Sequence, residues 1–240
     1  MAIRSMPLVW ALAALAALPT AAAESSFDLY VQEAFPKQTR TNAQIAEINA
    51  AFGTDFDDWD DTHNLSLGAK WLWRVAPRWR VGVEVDWSRG AIDGAATVDT
   101  PAGPARLEFE QRYSIFANLL AAAHFLPCPA CRRGEPFVLL GVGVAYERDH
   151  TTLTLRNDFL DDALRADHDG AFPAATAGVG IDLPISRRRP LFLQLGVAYY
   201  WGRLEERVPV RGSLAPAPEA IADTDSTGPN YWVGLSWRSR

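Results

Sequence analysis

Trp79-Arg80-Val81-Gly82-Val83-Glu84-Val85-Asp86-Trp87 is the stretch that decides the fold. Trp79, Val81, Val83, Val85 and Trp87 fall on one face, and Arg80, Gly82, Glu84 and Asp86 on the other. A period of two belongs to a strand with unlike faces, and no amphipathic helix produces it. Working outward, the same period runs through residues 27–32, 65–73, 107–118, 138–146, 175–183, 191–199 and 231–237. In 107–118, Leu107, Phe109, Tyr113, Ile115 and Ala117 are expected on the apolar face, opposite Glu108, Glu110 and Arg112. The chain therefore predicts eight strands and an all-β fold.

The connections alternate in length. Three are short, around Ala76-Pro77, through Leu126 to Pro136, and through Pro184 to Pro190. Four are long, at roughly 36–61, 89–104, 148–171 and 203–228. Short turns at one end and long loops at the other predict a closed antiparallel up-and-down transmembrane barrel with four long extracellular loops. In a soluble barrel the apolar face points inward and the opposite face is solvated. Here the opposite face carries Gly68, Gly82, Gly141, Gly143, Gly178, Gly180, Gly196 and Gly234, which suits a crowded lumen. Its charges mix signs, so Lys70, Arg80, Glu84, Asp86, Glu108, Glu110, Arg112 and Asp182 are expected as lumenal ion pairs.

Aromatic residues mark the strand ends. Trp71, Trp73, Trp79 and Trp237 fall near the short turns, and Trp87, Tyr146, Trp201 and Tyr231 near the long loops. Trp79 and Trp87 share a face, and their axial separation of about 20 Å approaches the roughly 25 Å apolar band of a membrane barrel. These are two expected girdles. The turns are rich in Arg and the long loops in Asp and Glu, which supports the same orientation.

Residues 1–23 hold Arg4, an apolar run from Leu8 to Leu18, and Ala21-Ala22-Ala23. They read as a secretory signal peptide cut before Glu24, leaving residues 24–240 as one barrel domain. The net charge of −6 argues against a nucleic-acid partner. Of 23 basic residues only Lys37 and Lys70 are lysine. The mean hydropathy of −0.08 resembles that of a soluble protein, because alternating strands and acidic loops average out.

The chain resembles the eight-stranded outer-membrane barrels of the OmpA/OmpX/opacity-type porin-like superfamily. The resemblance rests on Gly141-Val-Gly-Val-Ala-Tyr146, Gly178-Val-Gly-Ile-Asp182 and Asn230-Tyr-Trp-Val-Gly-Leu-Ser-Trp237. In the last of these, Tyr231, Gly234, Leu235 and Trp237 look like the signal read by the outer-membrane assembly machinery, with Arg238-Ser-Arg240 following as a departure. An even strand number returns both termini to the short-turn, periplasmic side, and the long acidic loops predict a structural or surface-interaction role. The resemblance implies a bacterial outer-membrane location and identifies an architecture, not an activity. It leaves two alternatives: a narrow diffusion pore for small solutes, and a lipid-A-modifying enzyme.

Individual motifs are weighed within that frame. Thr62-His63-Asn64-Leu65-Ser66 places His and Ser on opposite faces of a strand, and His124, His150 and His168 suggest no catalytic set. No catalytic residue and no cofactor is therefore expected. Asp55, Asp57, Asp58, Asp60 and Asp61 are candidate ligands for Ca²⁺ or Mg²⁺, or for divalent ions bridging to lipopolysaccharide phosphates, but lack EF-hand spacing. A surface ligand is a further expected partner. Residues 41–52 predict a short helix capped by Thr41, with Ile45, Ile48 and Phe52 on one face. Cys128 and Cys131 sit in a turn outside the cytoplasm and favour a disulfide.

Overall fold

In the computed structural model the described residues are 24–35, 38–59, 64–128, 131, 134–185, 190–214 and 219–239. The expected signal peptide, Asp60, Asp61 and His63 lie outside them. The elements run β1 (Ser25–Ala34), α1 (Thr39–Phe52), β2 (Asn64–Ala76), β3 (Trp79–Thr100) and β4 (Gly103–Phe125). They continue as β5 (Glu135–Asn157), β6 (Leu160–Pro184), β7 (Leu191–Arg211), β8 (Glu219–Asp225) and β9 (Gly228–Arg238).

Every pairing is antiparallel. Neighbours in sequence pair from β1 to β7, β9 pairs with both β7 and β1, and the result is a ring of eight strands. The ninth strand, β8, pairs with β7 alone, as a hairpin above the ring. The expected eight strands are thus the ring, and β8 is an addition.

Three of the four expected loops are largely strand. β3 and β4 pair without a break from Ala91↔Arg112 to Thr100↔Gly103, and β5 and β6 pair as far as Asn157↔Leu160. Strands of 22 to 25 residues are far longer than the 9–11 or so that cross a bilayer. Their upper halves stand as a sheet beyond the ring's short members β1, β2 and β9. Residues with mixed composition conceal such a hairpin, because its sides both meet water or a small local core.

The helix forms where periodicity placed it, but begins at Thr39. Gln38 is the N-cap residue, in a left-handed conformation, and Thr41 lies inside the first turn with its hydroxyl 3.4 Å from Gln38 Oε1. Gly53 ends the helix at φ 66°, where the missing Cβ removes the steric cost of a left-handed cap. Ile45 is buried, and Ile48 and Phe52 pack beside it against Phe56, Trp59, Leu107, Phe109 and Leu153. This apolar cluster caps the ring at its long-hairpin end.

At the opposite end, Cys128 and Cys131 are joined in a disulfide across a Cα–Cα distance of 5.6 Å. The loop it encloses is short, so the paired change Cys128→Ser and Cys131→Ser is expected to cost about 2 kcal/mol or less. Thermal midpoints with and without reductant check this.

Candidate functional site

The interior of the ring is filled from end to end. At the short-turn end Arg80 and Arg238 share two carboxylates. Arg80 reaches Asp182 Oδ2 at 3.2 Å and Glu135 Oε2 at 2.9 Å. Arg238 donates to Glu135 Oε2 at 2.7 Å and also to Asp182. Gln194 Nε2 bridges Asp182 Oδ1 at 3.0 Å and Asp28 Oδ2 at 3.2 Å. All these acids but Glu135 are almost wholly buried, so each charge depends on its partners.

In the next layer His124 stacks on Phe137 with ring centroids 4.4 Å apart, beside Leu72, Leu126 and Leu139. Lys70 follows, 3.4 Å from Glu84 Oε1 and 4.6 Å from the ring centroids of both Tyr30 and Trp232. Tyr30 Oη donates to the same Glu84 oxygen at 2.6 Å. The two rings need space, and glycine supplies it: a Cβ on Gly68 would enter the Tyr30 ring, and one on Gly196 the Trp232 ring. That is one physical reason the inner face is glycine-rich.

Above this layer Asn118 Nδ2 donates to Asp86 Oδ1 at 2.8 Å and Tyr200 Oη donates to Asn118 Oδ1 at 2.6 Å. They border a small polar chamber of about 50 Å³, which Asn64, Ser66, Ser88, Tyr113, Glu147 and Asn230 also line. Trp59 Nε1 donates to Gln111 Oε1 at 2.9 Å, tying the apolar cap over the chamber to β4.

Five expected lumenal charges, Lys70, Arg80, Glu84, Asp86 and Asp182, do face inward and are buried. Glu108, Glu110 and Arg112 do not. Arg112 pairs with Glu110 and Arg106 with Glu108 on the solvent side, with the Arg112 side chain 58% exposed. The cause is an irregularity in β4 between Tyr113 and Ile115, which switches the inward parity. Below it, Asn118, Leu120 and Ala122 are buried; above it, Leu107, Phe109 and Tyr113 are. A single uninterrupted period was the wrong assumption there. Glu135 and Arg238, read from sequence as turn and terminal charges, belong to the interior. Asp28, Tyr30 and Gln194 lie on the inward parity of their strands, and that parity was the signal that could have found them.

The aromatic residues face outward in two bands. At the short-turn end Trp71, Trp79 and Trp237 are exposed and Trp73 half-buried, stacked on Trp71. At the long-hairpin end Trp87, Trp201 and Tyr231 are exposed and Tyr146 half-buried. Between them lies an exposed apolar belt including Leu29, Leu67, Val85, Val142, Val197 and Val233. Trp59 and Trp232 depart from the girdle pattern and are buried inside. On β9, Tyr231, Leu235 and Trp237 point outward, while Gly234 lies beside Tyr30 of β1.

Among the described residues no group of three or more His, Cys, Asp or Glu is arranged to hold a metal ion. Of the five candidate aspartates, Asp55, Asp57 and Asp58 fall among these residues, and Asp60 and Asp61 lie outside them. His150 pairs with Asp167, and His168 is buried. No helix among the described residues is long and apolar enough to cross a membrane.

Beyond the outer aromatic band, burial pushes the Asp149 carboxyl above its ordinary value. Hydrogen bonds from Gln111 Nε2 at 3.1 Å and the His150 backbone N–H at 2.8 Å act in the opposite direction. The folded state therefore holds this proton more tightly than the unfolded chain. Its contribution to stability is present at low pH and is lost as pH rises from the ordinary carboxylate range through the raised value. Asp149→Asn is expected to stabilise the protein at about pH 8 relative to the parent, with the difference shrinking towards about pH 4. Unfolding midpoints at the two pH values check the sign.

No family model matches the chain, and no curated protein matches it. Solved structures do. A major outer membrane protein from Thermus thermophilus has 11% identity over 90% of this chain and 99% of that one, with a TM-score of 0.46. The outer membrane protein OprG from Pseudomonas aeruginosa has 14% identity over 91% of this chain and 96% of that one, with a TM-score of 0.42. The attachment invasion locus protein Ail of Yersinia pestis, solved with the heparin analogue sucrose octasulfate, has 11% identity over 90% and 99%, with a TM-score of 0.37. These neighbours are outer-membrane proteins, the group the sequence resembles. The architecture itself rests on the strand pairings above.

Proposed function

We propose that this chain is an integral outer-membrane β-barrel, closed through the β1–β9 and β6–β7 pairings, with a structural and surface-interaction role. The observation that carries the reading is the outward belt of exposed aliphatic side chains between two aromatic bands. An apolar surface of that extent is a liability in water and a requirement in lipid. Residues 1–23 serve as the secretory signal, and both termini face the periplasm. The paired upper strands and the α1 cap form the surface-exposed part, which meets an extracellular ligand.

The filled lumen favours this reading over a diffusion pore, since Arg80, Arg238, Lys70, Tyr30 and Trp232 occupy the bore. The test is heat-modifiable migration on a gel together with β-type circular dichroism in detergent. A mature chain that stays in solution without detergent overturns the reading. Planar-bilayer recordings are expected to show no steady conductance.

A further inference from the structure

We propose that the β3–β4–β5 wall carries a binding site for the phosphorylated, acylated glycolipid of the outer leaflet, the lipid A part of lipopolysaccharide. The proposal rests on the membrane reading above, and gives it one specific lipid contact that uses neither the acidic loops nor a bridging metal ion.

The register builds the site in three rows. In the lowest, Val85, Leu119 and Val144 face outward side by side. In the next, Ala117 lies between Trp87 and Tyr146. A methyl group between two large rings leaves a slot, which forms one end of a shallow groove of about 690 Å³ that reaches across to Leu67 on β2 and Leu29 on β1. That lies in the range of clefts that hold small ligands. Its lining is almost wholly apolar and crosses the strands as part of the exposed belt, a surface suited to an acyl chain.

The third row is cationic. Arg89 is exposed two residues above Trp87, and Arg148 is exposed two residues above Tyr146. Arg148 pairs across from Ile115, and Arg89 lies opposite the same irregular step of β4. The two arginines are thus two strands apart, about 10 Å at ordinary strand spacing. Arg148 is held over the groove, its Nη2 3.1 Å from Tyr146 Oη and 3.0 Å from Asp169 Oδ2. Asp169 balances the Arg148 charge. Arg89 makes no ion pair or hydrogen bond with another side chain among the described residues, so it supplies the net positive charge.

Aromatic girdles sit at head-group level. A cation one row above the girdle therefore meets the lipid phosphates, while the slot below meets the chains. Arginine suits this place because its planar fork binds phosphate through two parallel hydrogen bonds. Charge complementarity and groove position together select a phosphorylated lipid over a peptide.

The experiment uses the full chain purified in detergent micelles, with EDTA present throughout. Retention of lipid A, of its dephosphorylated form and of phosphatidylglycerol is measured by native mass spectrometry. Lipid A is expected to be retained, and the other two only weakly. Arg89→Gln is expected to lower retention about fivefold, and Ala117→Phe, which fills the slot, to lower it as well. Arg89 is on the surface, so its variant decides the matter even where Ala117→Phe impairs folding. Equal retention of phosphatidylglycerol, loss of lipid A on EDTA treatment, or unchanged retention in Arg89→Gln overturns the proposal. A protein that is heat-modifiable yet indifferent to Arg89→Gln sinks this site alone. A protein that needs no detergent sinks the membrane reading itself.

Discussion

The substitution Val142→Arg is expected to destabilise the folded protein by about 2–4 kcal/mol, the cost of a basic residue at mid-height on a lipid-facing barrel wall. Val142 is 64% exposed, among the most exposed large apolar residues in the structure. It pairs with Ala121, which in turn faces Val83, midway between Trp79 and Trp87 on β3. In water, such a site tolerates arginine within about 0.5 kcal/mol. The two outcomes differ in kind, so one unfolding titration in lipid bilayers tests the environment of the whole belt. Moving the same change to Trp87 or Tyr231, at the edge, is expected to reduce the charge penalty to about 1 kcal/mol or less.

Asp182→Ala is expected to cost about 3–5 kcal/mol, for a different reason. Asp182 is 0% exposed and accepts from Arg80, Arg238 and Gln194. Removing it leaves two buried guanidinium groups to share Glu135. The penalty is the cost of uncompensated charge away from water, so Asp182→Asn, which keeps the shape and loses the charge, also falls well below the parent. A double-mutant cycle with Arg238 measures the coupling, since neighbours in one network do not add. Urea midpoints in the range of a surface substitution contradict the assignment of this quartet as the structural base of the barrel.

The ring was legible because strand parity is a rigid rule. The alternation of 79–87, of 138–146 and of 191–199 names the outward and inward faces wherever one face is apolar and the other lines the ring's interior. The rule failed in two places, both with physical causes. In β4 the irregular step between Tyr113 and Ile115 exchanged the faces, so Glu108, Glu110 and Arg112 went to solvent. An extra residue of this kind leaves no mark in composition. Above the outer aromatic band the sheet encloses its own apolar cap, so Leu107 and Phe109 point inward there, whereas lower down the apolar side chains point out. The inversion of that pattern along one strand is what the proposed passage of the wall from lipid into water requires. Charges at strand ends, such as Glu135 and Arg238, could be assigned only once β5 and β9 stood in one ring with β6 and β7 between them. The Arg89 and Arg148 pairing was hidden likewise, because their sequence separation carries no hint of register.

The seam between β1 and β9 has a consequence for the time course of assembly. Ser25 and Ser239, joined there by a backbone-to-hydroxyl hydrogen bond, are 214 positions apart. Among the described residues no side-chain hydrogen bond is less local, and non-local contacts form slowly because loop entropy is lost before they give anything back. Until β9 arrives, β1 and β7 each present an unpaired edge, and an open apolar sheet with two free edges is prone to stick to its neighbours. The β9 strand therefore acts as a latch: its pairing with both edges at once ends the exposed interval in a single step.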